Sequence, residues 1–221
     1  MARPKVPLIA KRKALEVALD IVDNEGIDSL SIRRLAERLN VNGASLYHHF
    51  ENKEEIVVGA AKLALEEVRT PQTRDEPWQI WIMRNARQLR QALREHPDLI
   101  PVMLRREPLG IGVVQLDATV VLLEREGVPI GAIAPLITAL ELFAIGSALH
   151  EARAEGTSTG KDIDPVRTPN LGRALELASV SADDIFDLVC RQIIDGVLAA
   201  ATDKPSPQPA ASDTSTEPAP A

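Results

Sequence analysis

Gly26-Ile-Asp-Ser-Leu-Ser-Ile-Arg-Arg-Leu-Ala-Glu-Arg-Leu-Asn-Val-Asn-Gly-Ala-Ser-Leu-Tyr-His-His-Phe-Glu-Asn-Lys53 is the stretch whose reading decides the fold. Ser31 suits an N-cap, because its hydroxyl can accept from an amide left open at a helix start. Ile32, Leu35, Ala36 and Leu39 follow at helical spacing and form the buried stripe of a short helix. Asn40-Val41-Asn42 then makes a tight turn, and Asn42 caps a third short helix expected over 44–50. Val41, Leu46 and Phe50 pack on the stripe of the preceding helix. Gly43, Ala44, Ser45, Tyr47 and His48 are left facing outward.

This is the pattern of a helix-turn-helix, whose second helix enters the DNA major groove by its N-terminal end. Ser45 can donate or accept at a base edge or a phosphate, and Ala44 can meet a thymine methyl. Gly43 allows close backbone approach, while Tyr47, His48 and Ser31 are placed for phosphates. Arg33 can reach a guanine edge from the second helix. Lys53 stands in the first turn of a fourth helix, where its amine and the helix terminus together attract a phosphate. On spacing alone, a plain helical hairpin with a polar outer face fits as well.

Outward from this stretch, nearly every segment reads as helix. A first helix over 8–24 carries Leu15, Ala18, Ile21 and Val22 on one face and ends at Gly26. Asn52, with Glu55 three positions on, opens the fourth helix, expected to reach about 69. The prolines and polar residues of 70–77 break the pattern and mark a boundary. Further helices are expected over 78–95, 98–105, 108–126, 130–154, 171–177 and 182–201. No strand signal is present, so the fold class is all-α. Residues 203–221 hold five prolines and little that could enter a core, and are expected to be disordered. The expected organisation is a DNA-binding domain with a basic arm over 1–69, a ligand-binding and dimerisation domain over 70–202, and a tail.

The net charge of −7 argues against a globally basic nucleic-acid binder, but residues 1–13 carry five basic side chains and no acidic one. A basic arm of that kind can follow the backbone or enter a minor groove. Cys190 is the one cysteine, which fits a reducing compartment and excludes an internal disulfide. Its apolar neighbours suggest an inert thiol rather than a redox sensor. The start of the chain lacks the apolar run of a secretory signal. The apolar run 131–149 is interrupted by Thr138, Glu141 and Ser147 and reads as a buried helix rather than a membrane span. A cytoplasmic location is expected.

His48 and His49 diverge on a helix and are not a metal pair. His150 is isolated, and His96 stands where it can cap a helix C-terminus. With no phosphate loop, nucleophile elbow or paired carboxylates, no catalysis, cofactor or metal site is expected.

Leu35-Ala36, Leu46-Tyr47-His48-His49-Phe50 and Asn52-Lys53 make the region 8–60 resemble the DNA-binding domain of the tetracycline-repressor (TetR) family. The resemblance implies DNA-facing roles for Arg33, Asn42, Gly43, Ala44, Ser45, Tyr47, His48 and Lys53. Asn40 departs from the family, which usually has glycine there, but asparagine tolerates a left-handed backbone. The recognition helix offers few long side chains, so base reading is expected to rest on Arg33, Asn42 and Ser45.

The helices over 131–154 and 182–201 are apolar over more than one stripe and should pack on two surfaces, as half of an intermolecular four-helix bundle. A two-fold homodimer would set its reading heads on the order of 34 Å apart on double-stranded operator DNA. Central helices of a monomer would show the same composition.

Trp78-Gln79, Arg84-Asn85 and Leu142-Phe143-Ala-Ile-Gly146 also resemble the family's tetracycline-binding C-terminal domains, which implies a small-molecule effector pocket. Its candidates are Trp81, Asn85, Leu89, Met103, Phe143, Ser147 and His150. Met103 stands where those domains place a magnesium-binding histidine, and a thioether is a poor magnesium ligand. Magnesium-tetracycline is therefore not the expected effector. Glu141, a carboxylate on an apolar helix, could orient a cationic ligand or serve as a paired or dimer-edge carboxylate.

The function expected is a ligand-released, homodimeric transcriptional repressor. Two other classes are a helical carrier or enzyme without a DNA role, and an adaptor that docks a partner through helices two and three.

Overall fold

The computed structural model describes residues 11–66, 68, 76–104, 113–156 and 167–202, with the side chains of 103–104, 113–115 and 153–156 outside that description. The described residues form helices and turns with no strand. In chain order the helices are α1 (Lys11–Glu25), α2 (Ile32–Leu39), α3 (Gly43–Leu46), α4 (Lys53–Ala64) and α5 (Trp78–Glu95). They continue with α6 (Ile100–Leu104), α7 (Val113–Arg125), α8 (Ile130–Gly156), α9 (Pro169–Glu176) and α10 (Ala182–Thr202). The basic arm before Lys11 and the stretch 203–221 lie outside the described residues.

The N-terminal helices form where local chemistry caps them. Ser31 accepts from the Arg34 amide, Asn42 from the Ala44 amide and Asn52 from the Glu55 amide. The return half of the last cap is shifted by one residue, because the Glu55 carboxylate accepts from the amide of Glu51 at 2.8 Å. α2 ends on Asn40, whose φ of 54° and ψ of 48° are left-handed. That residue lets the chain reverse into α3.

Two helices are shorter than their periodicity suggests. α3 stops at Leu46 rather than 50, and the amides of His49 and Phe50 both return to the Leu46 carbonyl at 2.9 Å. This tightened turn lets Phe50 swing into the core, where it is 1% exposed. α4 stops at Ala64 rather than about 69. α1 crosses α4 at Gly59, where an added Cβ would lie 2.6 Å from Leu15 Cδ2. α6 is preceded by a 3-10 turn over Pro97–Leu99, and α9 starts two residues early, with Pro169 in the favoured first position.

α5 and α8 pack along one another and α10 lies on α8. Arg90, on α5, is buried at 5% exposure and joins all three helices. Its guanidinium donates to Glu151 on α8 at 2.9 and 2.6 Å and to Asp183 on α10 at 2.6 Å. It also lies 4.7 Å from the centroid of the Phe186 ring. Arg87 makes a two-bond contact with Asp187 beside it, at 2.6 and 2.7 Å. That contact holds the Asp187 carboxyl below its usual range.

By length and composition alone, the Ile130–Ala152 stretch of α8 would suffice to cross a membrane. Ala132, Ile133, Leu136, Leu140, Ala144 and Ala148 are nonetheless buried within the helical assembly, and the stretch reads as a core helix. Leu142 on α8 and Ile185 and Leu188 on α10 remain exposed at 50%, 47% and 51%.

Candidate nucleic-acid interface and ligand cavity

The outer surface of α2 and α3 brings most of the expected DNA set together. Ser31, Arg33, Asn42, Ala44, Tyr47, His48 and Lys53 are exposed, and Gly43 and Ser45 are half-buried. Tyr47 is 62% exposed although its neighbour Leu46 is fully buried. Tyr47 is the C-cap of α3, so its ring stands out from the core directly after that helix.

Several polar groups in this set already have local work. Ser31 and Asn42 spend one oxygen each on caps. The Ser45 hydroxyl donates to the Asn42 carbonyl, which leaves its oxygen turned to accept. Arg33 pairs with Glu37 at 2.9 Å, and its hydrogen bond is the main cause that holds the Glu37 carboxyl down. An exposed i,i+4 pair is worth about 0.2–0.5 kcal/mol, so a phosphate or a guanine can displace it. Lys53 donates to the Ile27 carbonyl at 3.0 Å.

The neighbouring arginines serve a different purpose. Arg34 grips Glu25 through two bonds of 2.9 and 2.8 Å, and Arg38 reaches both Glu25 and Asp20. These contacts fasten α2 to α1 and set the angle of the reading surface. Lys11 adds a residue that the periodicity could not place. It bonds Glu55 at 2.8 Å, lowering that carboxyl, and lies 5.1 Å from the Phe50 ring centroid.

The helical body reaches this head through the turn before α6. His96 is the C-cap of α5, as expected, its amide donating to the Ala92 carbonyl at 3.0 Å, and its Nδ1 also lies 2.8 Å from Asp23 Oδ1 on α1. Asp98 accepts from the Ile27 amide at 3.2 Å. Residues 1–69 hold eleven basic and eleven acidic side chains, so the whole net charge of −7 falls on residues 70–221.

A cavity of about 70 Å³ lies between α5, α7 and α8. Its walls include Ile82, Leu89, Leu116 and Ile137, with Asn85, Thr119 and Glu141 as the polar members among the described lining residues. Of the expected effector set, Asn85 and Leu89 line it. Trp81 is buried nearby on α5, Phe143 stacks on Phe186 with centroids 5.1 Å apart, and Ser147 bonds Glu151 at 3.1 Å. His150 is exposed, and the side chain of Met103, on which the magnesium argument rests, lies outside the described ones. Among the described residues no group of three or more His, Cys, Asp or Glu side chains is placed to hold a metal ion. Cys190 is fully buried, and burial pushes its thiol up to about 11.

Comparison with known proteins matches residues 14–60 to the profile "Bacterial regulatory proteins, tetR family" and residues 70–201 to "Tetracyclin repressor-like, C-terminal domain". The class A tetracycline repressor from transposon 1721 of Escherichia coli is 28% identical over 189 residues, which is 83% of this chain and 88% of that protein. The repressor DrrR1 of Streptomyces coeruleorubidus is 26% identical over 89% of this chain and 80% of its own length. Among solved structures, ActR of Streptomyces coelicolor in complex with actinorhodin superposes with a TM-score of 0.69 at 31% identity. It covers 87% of this chain and 98% of its own. The ligand-free form of ActR gives 0.71 at 30% identity, over 89% and 98%.

Proposed function

The chain belongs to the tetR family of bacterial regulatory proteins, and from that premise we propose how it works as a ligand-responsive, DNA-binding repressor of transcription. Its relatives are transcriptional regulators rather than enzymes. A homodimer on a palindromic operator is the typical arrangement of the family. The exposed apolar residues Leu142, Ile185 and Leu188 supply a face for a second copy. Residues 1–69 form the DNA-binding domain, 70–202 the effector-binding and dimerisation domain, and 203–221 a tail. The protein acts in the cytoplasm.

The observation that carries this reading is the cluster of Arg33, Tyr47, His48 and Lys53 on one exposed surface, tied by Asp98 and His96 to the body that holds the cavity. Tyr47, His48 and Lys53 hold phosphates, and Arg33, Asn42 and Ser45 read bases.

A cavity of about 70 Å³ is smaller than the roughly 300–1,000 Å³ that drug-sized ligands occupy. Such an effector enters only as α5, α7 and α8 part. α5 runs directly into His96 and Asp98, so that movement pulls on the anchors of the head. The ligand then favours a state whose two heads no longer match their half-sites.

The test is binding of the full chain to duplex DNA from the region flanking its own gene, across a salt series, beside Tyr47→Ala. Selective binding that weakens steeply with salt and is lost in the variant supports the reading. Equal binding to all sequences, or none even after selection from random duplexes, overturns it.

A further inference from the structure

We propose that Glu37 is a positioning residue for base reading: it offsets the charge of Arg33 toward phosphates and leaves the arginine's terminal amino groups free for a guanine edge. This rests on the reading of α2 and α3 as the DNA-facing surface. Arg33 Nε donates to Glu37 Oε1 at 2.9 Å. That contact takes the inner nitrogen of the guanidinium, and among the described residues Nη1 and Nη2 of Arg33 have no hydrogen-bond partner. The other oxygen of the same carboxylate lies 3.7 Å from Arg34 Nη1. Arg34 is itself fastened to Glu25 by two bonds of 2.9 and 2.8 Å. One oxygen of Glu37 is thus set by an arginine anchored to α1, and the other holds an arginine whose side chain is 90% exposed. Arg33, Glu37, Asn40, Gly43 and Tyr47 line one open groove of about 430 Å³ on the reading surface. Arg33 is the one basic residue and Glu37 the one acidic residue among its described lining.

A phosphate attracts an arginine by charge, on any sequence. A guanine offers O6 and N7 as two acceptors, which a pair of donors on one guanidinium can meet together. A carboxylate beside the guanidinium weakens the first attraction and leaves the second intact. A phosphate has to compete with Glu37 for the charge, whereas guanine O6 and N7 take only the free amino groups. Fixing a long side chain also costs rotamer entropy, and the contact with Glu37 removes part of that cost before DNA arrives. An acidic side chain in this groove repels phosphates as well. It therefore lowers affinity on every duplex and raises the contrast between them.

An operator is selected from random duplexes with the full-chain protein. Its single-base variants and one scrambled duplex are then titrated by fluorescence anisotropy at about 0.15 M salt, with thermal melts as a check on folding. Arg33→Ala locates the base pair that the arginine reads. Glu37→Ala is expected to lower discrimination at that same pair by about fivefold or more, and to bind the scrambled duplex roughly threefold tighter. Glu37→Gln keeps an acceptor for Nε without the charge, and its discrimination falls between those of the parent and Glu37→Ala. In the Arg33→Ala background, Glu37→Ala leaves discrimination at that pair unchanged. Tighter binding to every duplex with discrimination intact, or a loss of discrimination that persists without Arg33, overturns the proposal and leaves DNA reading by α2 and α3 standing. If Arg33→Ala discriminates as well as the parent, or no operator is selected, the base-reading role of Arg33 fails and the proposal with it.

Discussion

Asp98 Oδ2 sits 3.2 Å from the amide nitrogen of Ile27, so a residue of the effector-side turn holds the link between α1 and α2. Lys53 grips the carbonyl of the same residue from the other side. A neutral-to-charged hydrogen bond of this kind contributes about 1.5–3 kcal/mol. Asp98→Ala is expected to lower hydrogen-exchange protection of the Ile27 amide by roughly tenfold or more, whereas Asp98→Asn keeps an acceptor and part of the protection. Equal protection in all three proteins would show that the head does not depend on this contact.

Lys53 and Arg33 should separate by the kind of loss they cause. Lys53→Ala weakens binding to every duplex alike and lowers the salt slope by about 1, as for one lost phosphate contact. Arg33→Ala costs about 1–3 kcal/mol on the operator and relaxes the preference at one base pair. A uniform loss from Arg33→Ala, measured on a panel of single-base operator variants, would assign it to the backbone.

The left-handed Asn40 invites a backbone test. Asn40→Gly should unfold at a urea midpoint close to that of the parent protein. Asn40→Val should lose about 1–2 kcal/mol, because a Cβ-branched residue clashes with its own carbonyl at a φ of 54°. A valine variant as stable as the parent would mean that the turn re-forms with a different geometry.

Removing Arg90 leaves the Glu151 carboxylate, whose side chain is 17% exposed, with Arg94 as its remaining basic partner at 3.0 Å. Arg90→Ala is expected to cost about 1.5–3 kcal/mol by denaturant unfolding, the worth of a hydrogen bond between charged groups. Adding Arg94→Ala should cost more again, because the carboxylate then loses its second basic partner. A double variant no less stable than Arg90→Ala would show that Arg94 does not hold the carboxylate.

Cys190 sets a pH limit. Its thiol is raised from 9.0 to about 11 by burial, so the folded state holds the proton more tightly than the unfolded chain. The stabilisation is complete below pH 9.0 and is lost as pH rises to about 11. At pH 8 the native thiol should react with a disulfide reagent roughly a hundredfold more slowly than in the unfolded protein. Rapid native-state labelling would contradict this.

The caps of α2, α3 and α4 were legible because each is a local event. Ser31, Asn42 and Asn52 each bond an amide two or three positions away, and Asn40 takes the backbone its residue type allows. The outward face of α2 and α3 followed from the positions of Leu35, Leu46 and Phe50. The cavity was harder to read. α8 is apolar on nearly every side, so its periodicity says little about which side chains face α5. Phe143 turned to Phe186, while Glu141 turned to the cavity. The reach of His96 to Asp23 spans 73 positions, and no local pattern encodes it.

The division of charge between the two halves bears on how a regulator finds its site. With a head that its basic first segment brings to neutrality, and all of the surplus negative charge behind it, the molecule near a duplex feels a torque. Body-first encounters are pushed away and head-first encounters are not, so fewer collisions are wasted. The acidic body also keeps the resting protein from coating unrelated DNA, which leaves more copies free to search.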